Sequence, residues 1–257
     1  MSAERLTRPD GHEIAFRRGA GRAPGVVFFS GFNSSMSGTK ASWLADRCHA
    51  TDRAFLRFDA FGHGESTGRL ADGTVGRWKE DAIAVLDRRT SGPQVLIGSS
   101  MGAWIATLVA ESRPDRVAGF IGIAAAPDFT HELIEPSLSG DARAALARDG
   151  VWMRPSAYGP DPYPISRRAL EEAAAHLVLP RRLAFDFPVR LLHGTADADV
   201  PADLSLRLAQ VIDGPDTTVM LIPGGDHRLS TERDLTLLGR TLDQLFASAA
   251  SPSREVG

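Results

Sequence analysis

Cysteine is nearly absent from this chain of 257 residues, in which Cys48 is the single example. An intramolecular disulfide is therefore excluded, and a lone cysteine suits a reducing compartment. The chain also lacks a strong excess of charge, since its net charge is −3 and its isoelectric point is near 6.2. Without a basic excess there is no electrostatic footprint for a nucleic-acid partner.

Long apolar runs are missing as well. No segment approaches the roughly 18 apolar residues that a membrane-spanning helix needs. The stretch 1–15, MSAERLTRPDGHEIA, contains no apolar core of a signal peptide. We therefore expect a cytoplasmic protein without a membrane span. With 43% apolar and 24% charged residues, the composition is typical of a globular protein that buries a substantial core.

Short apolar runs alternate with segments whose apolar residues recur every three or four positions. The first pattern predicts strands and the second predicts helices. Strands that alternate with helices pair in parallel, because parallel neighbours need crossover connections. We therefore predict an α/β fold with a mostly parallel central sheet flanked by helices. The predicted strands lie at 12–17, 26–29, 54–59, 94–98, 117–124, 189–193 and 218–222, and the predicted helices near 40–49, 74–89, 101–112, 202–212 and 232–247.

The alternation breaks between residues 127 and 187, where prolines are frequent and no convincing strand is visible. We interpret 127–187 as a small helical cap insertion over the sheet edge, so that the core domain comprises 1–126 and 188–257. Trp152 and Tyr158 in this segment are candidates to line a substrate site. The alternative is that they form a small core within the insertion.

The segment GSSMG, residues 98–102, joins a predicted strand to a predicted helix. It fits the pattern G-x-S-x-G in only one frame, which has Ser100 at its centre. In this turn the serine is exposed at a helix N-terminus, where backbone N–H groups favour a developing negative charge. Flanking glycines remove the Cβ atoms that would collide as strand and helix approach. We predict that Ser100 is a nucleophile and that Ser99 faces elsewhere.

A serine nucleophile needs a base, and the base needs an orienting acid. The expected chain order is serine, acid, histidine. The loop HGTADADVP after the strand at 189–193 provides Asp197, and the loop PGGDHRLS after the last strand provides His227. Asp199 in the first loop is expected to hydrogen-bond its own backbone or to cap the helix that follows. The chain contains no H-E-x-x-H metal motif, and we predict neither a metal nor a cofactor.

An oxyanion hole is the remaining requirement. One donor is expected to be the N–H of Met101, directly after the nucleophile. The second is expected to be the N–H of Phe32 in the loop SGFNSSMSGTK, where Gly31 lets the chain turn. His63 and His193 are expected to hold loops in shape, and Cys48 to lie on a buried helix face.

The insertion is also rich in arginine. A solvated surface and the recognition of a carboxylate-bearing substrate both account for this. These arginines are Arg143, Arg148, Arg154, Arg167, Arg168, Arg181 and Arg182.

The motifs SGF, FDAFGHGES, GSSMG, HGTADADVP and GDHR occur in this order, and with them the chain resembles the α/β-hydrolase superfamily of serine hydrolases from about residue 11 to 246. The stretches GPQVLIGSSMGAW and GVWMRPSAY are similar to a mitochondrial branch of thioesterases and acyl-glucuronide esterases. The resemblance implies the α/β-hydrolase fold, with Ser100 as nucleophile, Asp197 as acid and His227 as base.

The predicted activity is hydrolysis of a carboxylic ester or thioester through an acyl-enzyme intermediate. The expected substrate is a small acyl ester or thioester, or an S-acylated protein. Two other functions stay open, namely acyl transfer to an acceptor other than water, and a ligand-binding receptor with slow turnover.

Overall fold

A computed structural model describes residues 2–156 and 161–250 of the chain, with the side chains of 248–250 excepted. The strands are β1 Glu4–Thr7, β2 Glu13–Gly19, β3 Arg22–Phe29, β4 Arg53–Phe58, β5 Gln94–Ser99, β6 Val117–Ile123, β7 Val151–Arg154, β8 Tyr163–Ser166, β9 Leu183–Ala184, β10 Val189–Gly194, β11 Ile212–Asp213 and β12 Thr217–Ile222. The helices are α1 Thr39–Ala50, α2 Val75–Arg89, α3 Met101–Ser112, α4 Glu135–Ser137, α5 Gly140–Asp149, α6 Arg167–Ala173, α7 Asp203–Val211 and α8 Glu232–Ala250.

The central sheet has eight strands in the order β1-β2-β4-β3-β5-β6-β10-β12. β1 and β2 are antiparallel to their neighbours, and the five pairs from β4 to β12 are parallel. The predicted mostly parallel sheet is therefore confirmed. β3 lies between β4 and β5, so the chain runs from β3 to β4 on one side and then crosses past β3 to reach β5 on the other. Such a switch point opens a crevice at the carboxyl ends of the strands, where ligands bind in open α/β sheets.

Helices cover both faces of this sheet, because the strands carry apolar residues on both sides. Val27 and Leu96 belong to the core under α2 and α3, whereas Val26 and Val95 belong to the core under α1 and α8. Alternate residues of one strand point to opposite faces, so consecutive apolar residues fill two cores. Burying each large apolar side chain contributes about 1.5–3 kcal/mol.

The segment between β6 and β10 differs from the prediction. It contains the helices α4 to α6, but also an antiparallel hairpin in which Val151 of β7 pairs with Ser166 of β8. The expectation that no strand lies in 127–187 is therefore wrong. Prolines such as Pro164 obscure the pattern, and they are tolerated here because both strands of a two-stranded hairpin are edge strands. β1 was also missed, since only one of its four residues, Leu6, is buried.

None of the helices in the described ranges combines the length and the apolar character needed to cross a bilayer.

Candidate active site

Ser100 forms the junction between β5 and α3. Its backbone has φ 56° and ψ −124°, a conformation that costs an L-residue free energy and is found where a site requires it. The two flanking glycines explain how the junction closes. A Cβ on Gly98 would lie 2.4 Å from the Cα of Ala103, and one on Gly102 would lie 2.2 Å from the carbonyl oxygen of Phe29. The strand, the helix and the loop after β3 therefore meet closely around Ser100.

His227 links Ser100 to Asp197. Its Nε2 lies 3.2 Å from Ser100 Oγ, and its Nδ1 lies 2.8 Å from Asp197 Oδ2. Because a carboxylate only accepts, Nδ1 carries the proton, and Nε2 of the neutral ring accepts from the serine hydroxyl. The Asp197 side chain is fully buried, whereas that of His227 is 17% exposed. The three residues predicted from the sequence are thus brought together at the carboxyl ends of β5, β10 and β12.

Asp197 is held by the backbone of its own loop. Its Oδ1 accepts from the N–H groups of Asp199 and Val200, both at 2.9 Å. Burial acts to raise the pKa of Asp197, but hydrogen bonds from His193, His227 and the Val200 N–H outweigh it and hold that pKa well below its usual range. The carboxylate is therefore ionised at neutral pH. Asp199 does not cap the next helix, because α7 begins at Asp203 with Ala202 as its N-cap.

The loop after β3 lies against the Ser100 junction. A Cβ on Gly31 would be 3.2 Å from the carbonyl oxygen of Ser99 and 3.3 Å from the Cβ of Ser100. Met101 is the first residue of α3, and the first N–H groups of a helix have no acceptor within it. The two predicted oxyanion donors, the N–H groups of Phe32 and Met101, thus belong to segments that flank Ser100.

The Phe32 ring anchors this loop in an aromatic cluster. Its centroid lies 5.8 Å from those of Trp78 and Phe129, 6.0 Å from that of His63 and 5.5 Å from that of Tyr163. Edge-to-face aromatic pairs each add about 0.5–1.5 kcal/mol beyond area burial. Packing of the Phe32 ring therefore holds the loop in place.

The hairpin β7–β8 supplies the outer wall of this cluster. Trp152 is half-buried and packs against the core, whereas Tyr158 lies outside the described residues. Tyr163 was not predicted as a site residue, because an aromatic residue in a proline-rich segment carries no local signal. Burial raises its pKa, and the guanidinium of Arg154 lies 5.9 Å from its ring centroid.

Several arginines of the segment 127–187 have carboxylate partners. The ion pairs are Arg148–Asp149, Arg167–Glu171, Arg181–Glu111 and Arg182–Asp213. These pairs favour the interpretation of a solvated surface for those four side chains.

A cysteine nucleophile and a metal site are two other kinds of site that residues of this chain could form. Cys48 is buried, and burial raises its pKa to about 12, so the thiol is not a nucleophile at neutral pH. Asp197, Asp199 and His227 have ligand atoms within 4.8 Å of one another. Asp197 and His227, however, are already hydrogen-bonded to each other.

Comparison with known proteins identifies the family of this chain. The profile of the family Hydrolase_4, described as serine aminopeptidase S33, matches residues 22–160, more than half of the chain. The rat palmitoyl-protein thioesterase ABHD10 is 38% identical over 242 residues, which are 94% of this chain and 81% of the relative. The structure of mouse α/β-hydrolase domain-containing protein 10 superposes with a TM-score of 0.88 at 36% identity, covering 97% of this chain and all of that one.

The chain belongs to the α/β-hydrolase family. A second structure of the family, a putative hydrolase from Agrobacterium vitis S4, has a TM-score of 0.91 at 35% identity and covers 95% of this chain and 98% of its own. The predicted fold and the prediction that the protein is a hydrolase are thereby confirmed.

The prediction of a cytoplasmic protein is wrong. It depended on the absence of an apolar leader in residues 1–15, but the rat, bovine and mouse relatives of this α/β-hydrolase are all named mitochondrial.

Proposed function

We propose that this α/β-hydrolase cleaves acyl thioesters and carboxylic esters with Ser100 as nucleophile, His227 as general base and Asp197 as the acid that orients it. One observation carries the proposal: His227 hydrogen-bonds Ser100 through one ring nitrogen, at 3.2 Å, and Asp197 through the other, at 2.8 Å. This is the arrangement required to remove the serine proton during attack.

The reaction follows from these contacts. Ser100 Oγ attacks the acyl carbonyl carbon while its proton passes to His227 Nε2. The carbonyl oxygen becomes an oxyanion that accepts from the N–H groups of Phe32 and Met101, each worth roughly 3–4 kcal/mol in the transition state. The intermediate collapses, and the C–S or C–O bond breaks as His227 returns the proton to the leaving thiol or alcohol. Water then repeats the sequence on the acyl-enzyme and releases the free acid.

The negative charge of Asp197 supports the action of His227 in both steps of this reaction. It is ionised, buried and bonded to the Nδ1 proton of His227, so it fixes the tautomer that leaves Nε2 free. When His227 takes the serine proton, the carboxylate stabilises the resulting imidazolium.

The substrate class is an acyl group with an apolar chain carried on a thiol or an alcohol. The names of the mammalian relatives, palmitoyl-protein thioesterases, support an acyl thioester, either a small molecule or an S-acylated protein. The crevice beside Met101 has mostly apolar walls, including Phe29, Phe58 and Ile105. The segment 127–187 acts as a cap in this proposal, with Trp152 facing the substrate and with Tyr158, which lies outside the described residues, as a second candidate to contact it.

The test compares p-nitrophenyl esters of graded chain length with the matching acyl thioesters, using the wild type, Ser100→Ala and the control Ser99→Ala. We expect sustained turnover by the wild type and by the control but not by Ser100→Ala. Each methylene that is buried should improve kcat/KM by the equivalent of about 0.8 kcal/mol.

The same assay separates the other two functions. If a competing alcohol or thiol receives most of the acyl group, the protein is a transferase. A single burst of product without further turnover would instead identify a receptor, which is acylated once and whose acyl-enzyme is then hydrolysed slowly.

A further inference from the structure

A second histidine contacts the carboxylate of Asp197. His193 is the penultimate residue of β10 and is fully buried. Its Nε2 lies 3.2 Å from Asp197 Oδ2, the oxygen that His227 also contacts, and 2.9 Å from the carbonyl oxygen of Val200. Both neighbours are acceptors only, so Nε2 of His193 carries a proton.

Ser205 contacts the other ring nitrogen of His193. The Nδ1 atom of His193 lies 2.7 Å from Ser205 Oγ, which α7 presents and which belongs to an equally buried residue. With the proton on Nε2, Nδ1 of the neutral ring accepts from the serine hydroxyl. This tautomer satisfies all the polar contacts of the ring without burying a charge.

We propose that His193, held by Ser205, is a positioning residue that orients Asp197 toward His227. The N–H groups of Asp199 and Val200 donate to Oδ1, and His227 donates to Oδ2. The Nε2–H of His193 donates to the Val200 carbonyl and lies 3.2 Å from the same Oδ2, so its dipole restrains the carboxylate from a further side. The inference rests on the proposed function, because it takes Asp197 as the acid partner of His227.

The backbone of Val200 completes the arrangement. Its N–H donates to Asp197 Oδ1 at 2.9 Å, and its carbonyl accepts from His193 Nε2 at 2.9 Å. The N–H and the carbonyl of Val200 belong to consecutive peptide groups, so the acid loop is held on both sides of the Val200 Cα. Among the described residues, the other titratable side chains close to this carboxylate are Asp199 of the same loop and His227 of the loop after β12.

Removal of the His193 donor has two consequences. The carboxylate gains freedom to rotate, and misplacement of a reacting group by about 1 Å costs up to 100-fold in rate. Without the Nε2–H dipole of His193 3.2 Å away, Oδ2 also accepts more strongly from His227 Nδ1, so the imidazolium form of His227 is stabilised. The acid limb of the kcat/KM profile should then move to higher pH.

The experiment compares His193→Phe, which keeps the ring shape without a donor, with His193→Gln, whose amide N–H reaches the position of Nε2. We expect His193→Phe to lower kcat about 10- to 100-fold with little change in KM. The acid limb of its kcat/KM profile should move to higher pH. His193→Gln should retain most of kcat and keep the acid limb at the wild-type pH. Ser205→Ala should have a kcat between those of the two His193 variants. The control is His49→Phe, at an exposed position of α1.

A second readout is independent of turnover: the downfield NMR resonance of the proton between His227 Nδ1 and Asp197. It should shift in His193→Phe and return in His193→Gln. Equal loss of kcat in both His193 variants, with the limb and the resonance unchanged, would overturn the inference, as would full activity of His193→Phe. If instead the wild type hydrolyses neither esters nor thioesters, the proposed function fails, and the resonance still tests whether His193 orients Asp197.

Discussion

Nδ1 of His227 lies 2.8 Å from Oδ2 of Asp197, although 30 positions separate the two residues in the chain. The contact joins the loop after β12 to the loop after β10, which are adjacent because their strands pair in parallel. Asp197 thereby determines which nitrogen of His227 is free to face Ser100.

Replacement of Asp197 by asparagine should remove this control. In Asp197→Asn the wrong tautomer of His227 is favoured, and kcat should fall by roughly 10⁴. Asp199→Asn is the matched comparison, since the substitution leaves in place the backbone N–H that Asp199 donates to Asp197. Both kcat and Tm should be measured for each variant. A stable but inactive Asp199→Asn protein would mean that the acid has been misassigned.

Ser100→Ala should abolish hydrolysis, with a loss on the order of 10⁶ in kcat, because no other hydroxyl is bonded to His227 Nε2 among the described residues. Ser99 is buried at the end of β5, and Ser99→Ala should lose far less. A fluorophosphonate probe followed by peptide mapping should find Ser100 labelled. Labelling of another serine in the Ser100→Ala protein would contradict the assignment.

Gly31→Ala tests the loop that carries the Phe32 donor. Its added Cβ would lie 3.2 Å from the Ser99 carbonyl oxygen, so the loop must shift by a few tenths of an ångström away from Ser100. Loss of one oxyanion donor costs about 10²–10³ in kcat, and we expect a reduction of about 10- to 100-fold for this partial displacement. Gly140→Ala, where an added Cβ has open space, is the control. Equal kcat in the two variants would exclude the loop from the oxyanion hole.

Lys40 should make stability depend on pH in the alkaline range. Burial lowers its pKa to about 8, and its Nζ donates to the Arg228 carbonyl and lies 3.4 Å from Ser230 Oγ. The unfolded chain, with an ordinary lysine pKa of about 10.4, binds more protons between these values. The free energy of unfolding of the wild type, relative to Lys40→Met, should therefore rise from pH 8 to about pH 10.

Chemical denaturation of both proteins across this range measures the effect, with Lys79→Met, at the other lysine of the chain, as the control. A difference that stays constant or falls with pH would show that the burial of Lys40 does not control its protonation.

Cys48 should be inert in the folded protein. Its thiol is buried and its pKa is raised to about 12, so almost no thiolate forms at pH 8. Iodoacetamide should therefore leave both the thiol and the hydrolytic rate unchanged, whereas the denatured chain should react. Inhibition that parallels modification of the folded protein would be the opposite result.

The local pattern of the sequence was sufficient for every strand of the central sheet except β1. Two-sided apolar runs such as residues 94–98 predicted buried parallel strands, and the structure agrees because such runs can only be covered by helices on both faces. The strands of the hairpin β7–β8 were not predictable in this way. Their alternation is interrupted by prolines, and their pairing is stabilised by contacts such as that of Tyr163 with Phe32.

The sequence by itself determined the turn at Ser100 and the chain order of Ser100, Asp197 and His227, because glycine spacing and loop position are properties of adjacent residues. The tertiary structure alone decided that the Nε2–H of His193 lies beside the Asp197 carboxylate. A buried histidine has two tautomers and several rotamers. The Val200 carbonyl selects the tautomer, and Ser205, on a helix that packs against β10, helps to hold the rotamer. Such a choice depends on packing between separate elements, which no local pattern encodes.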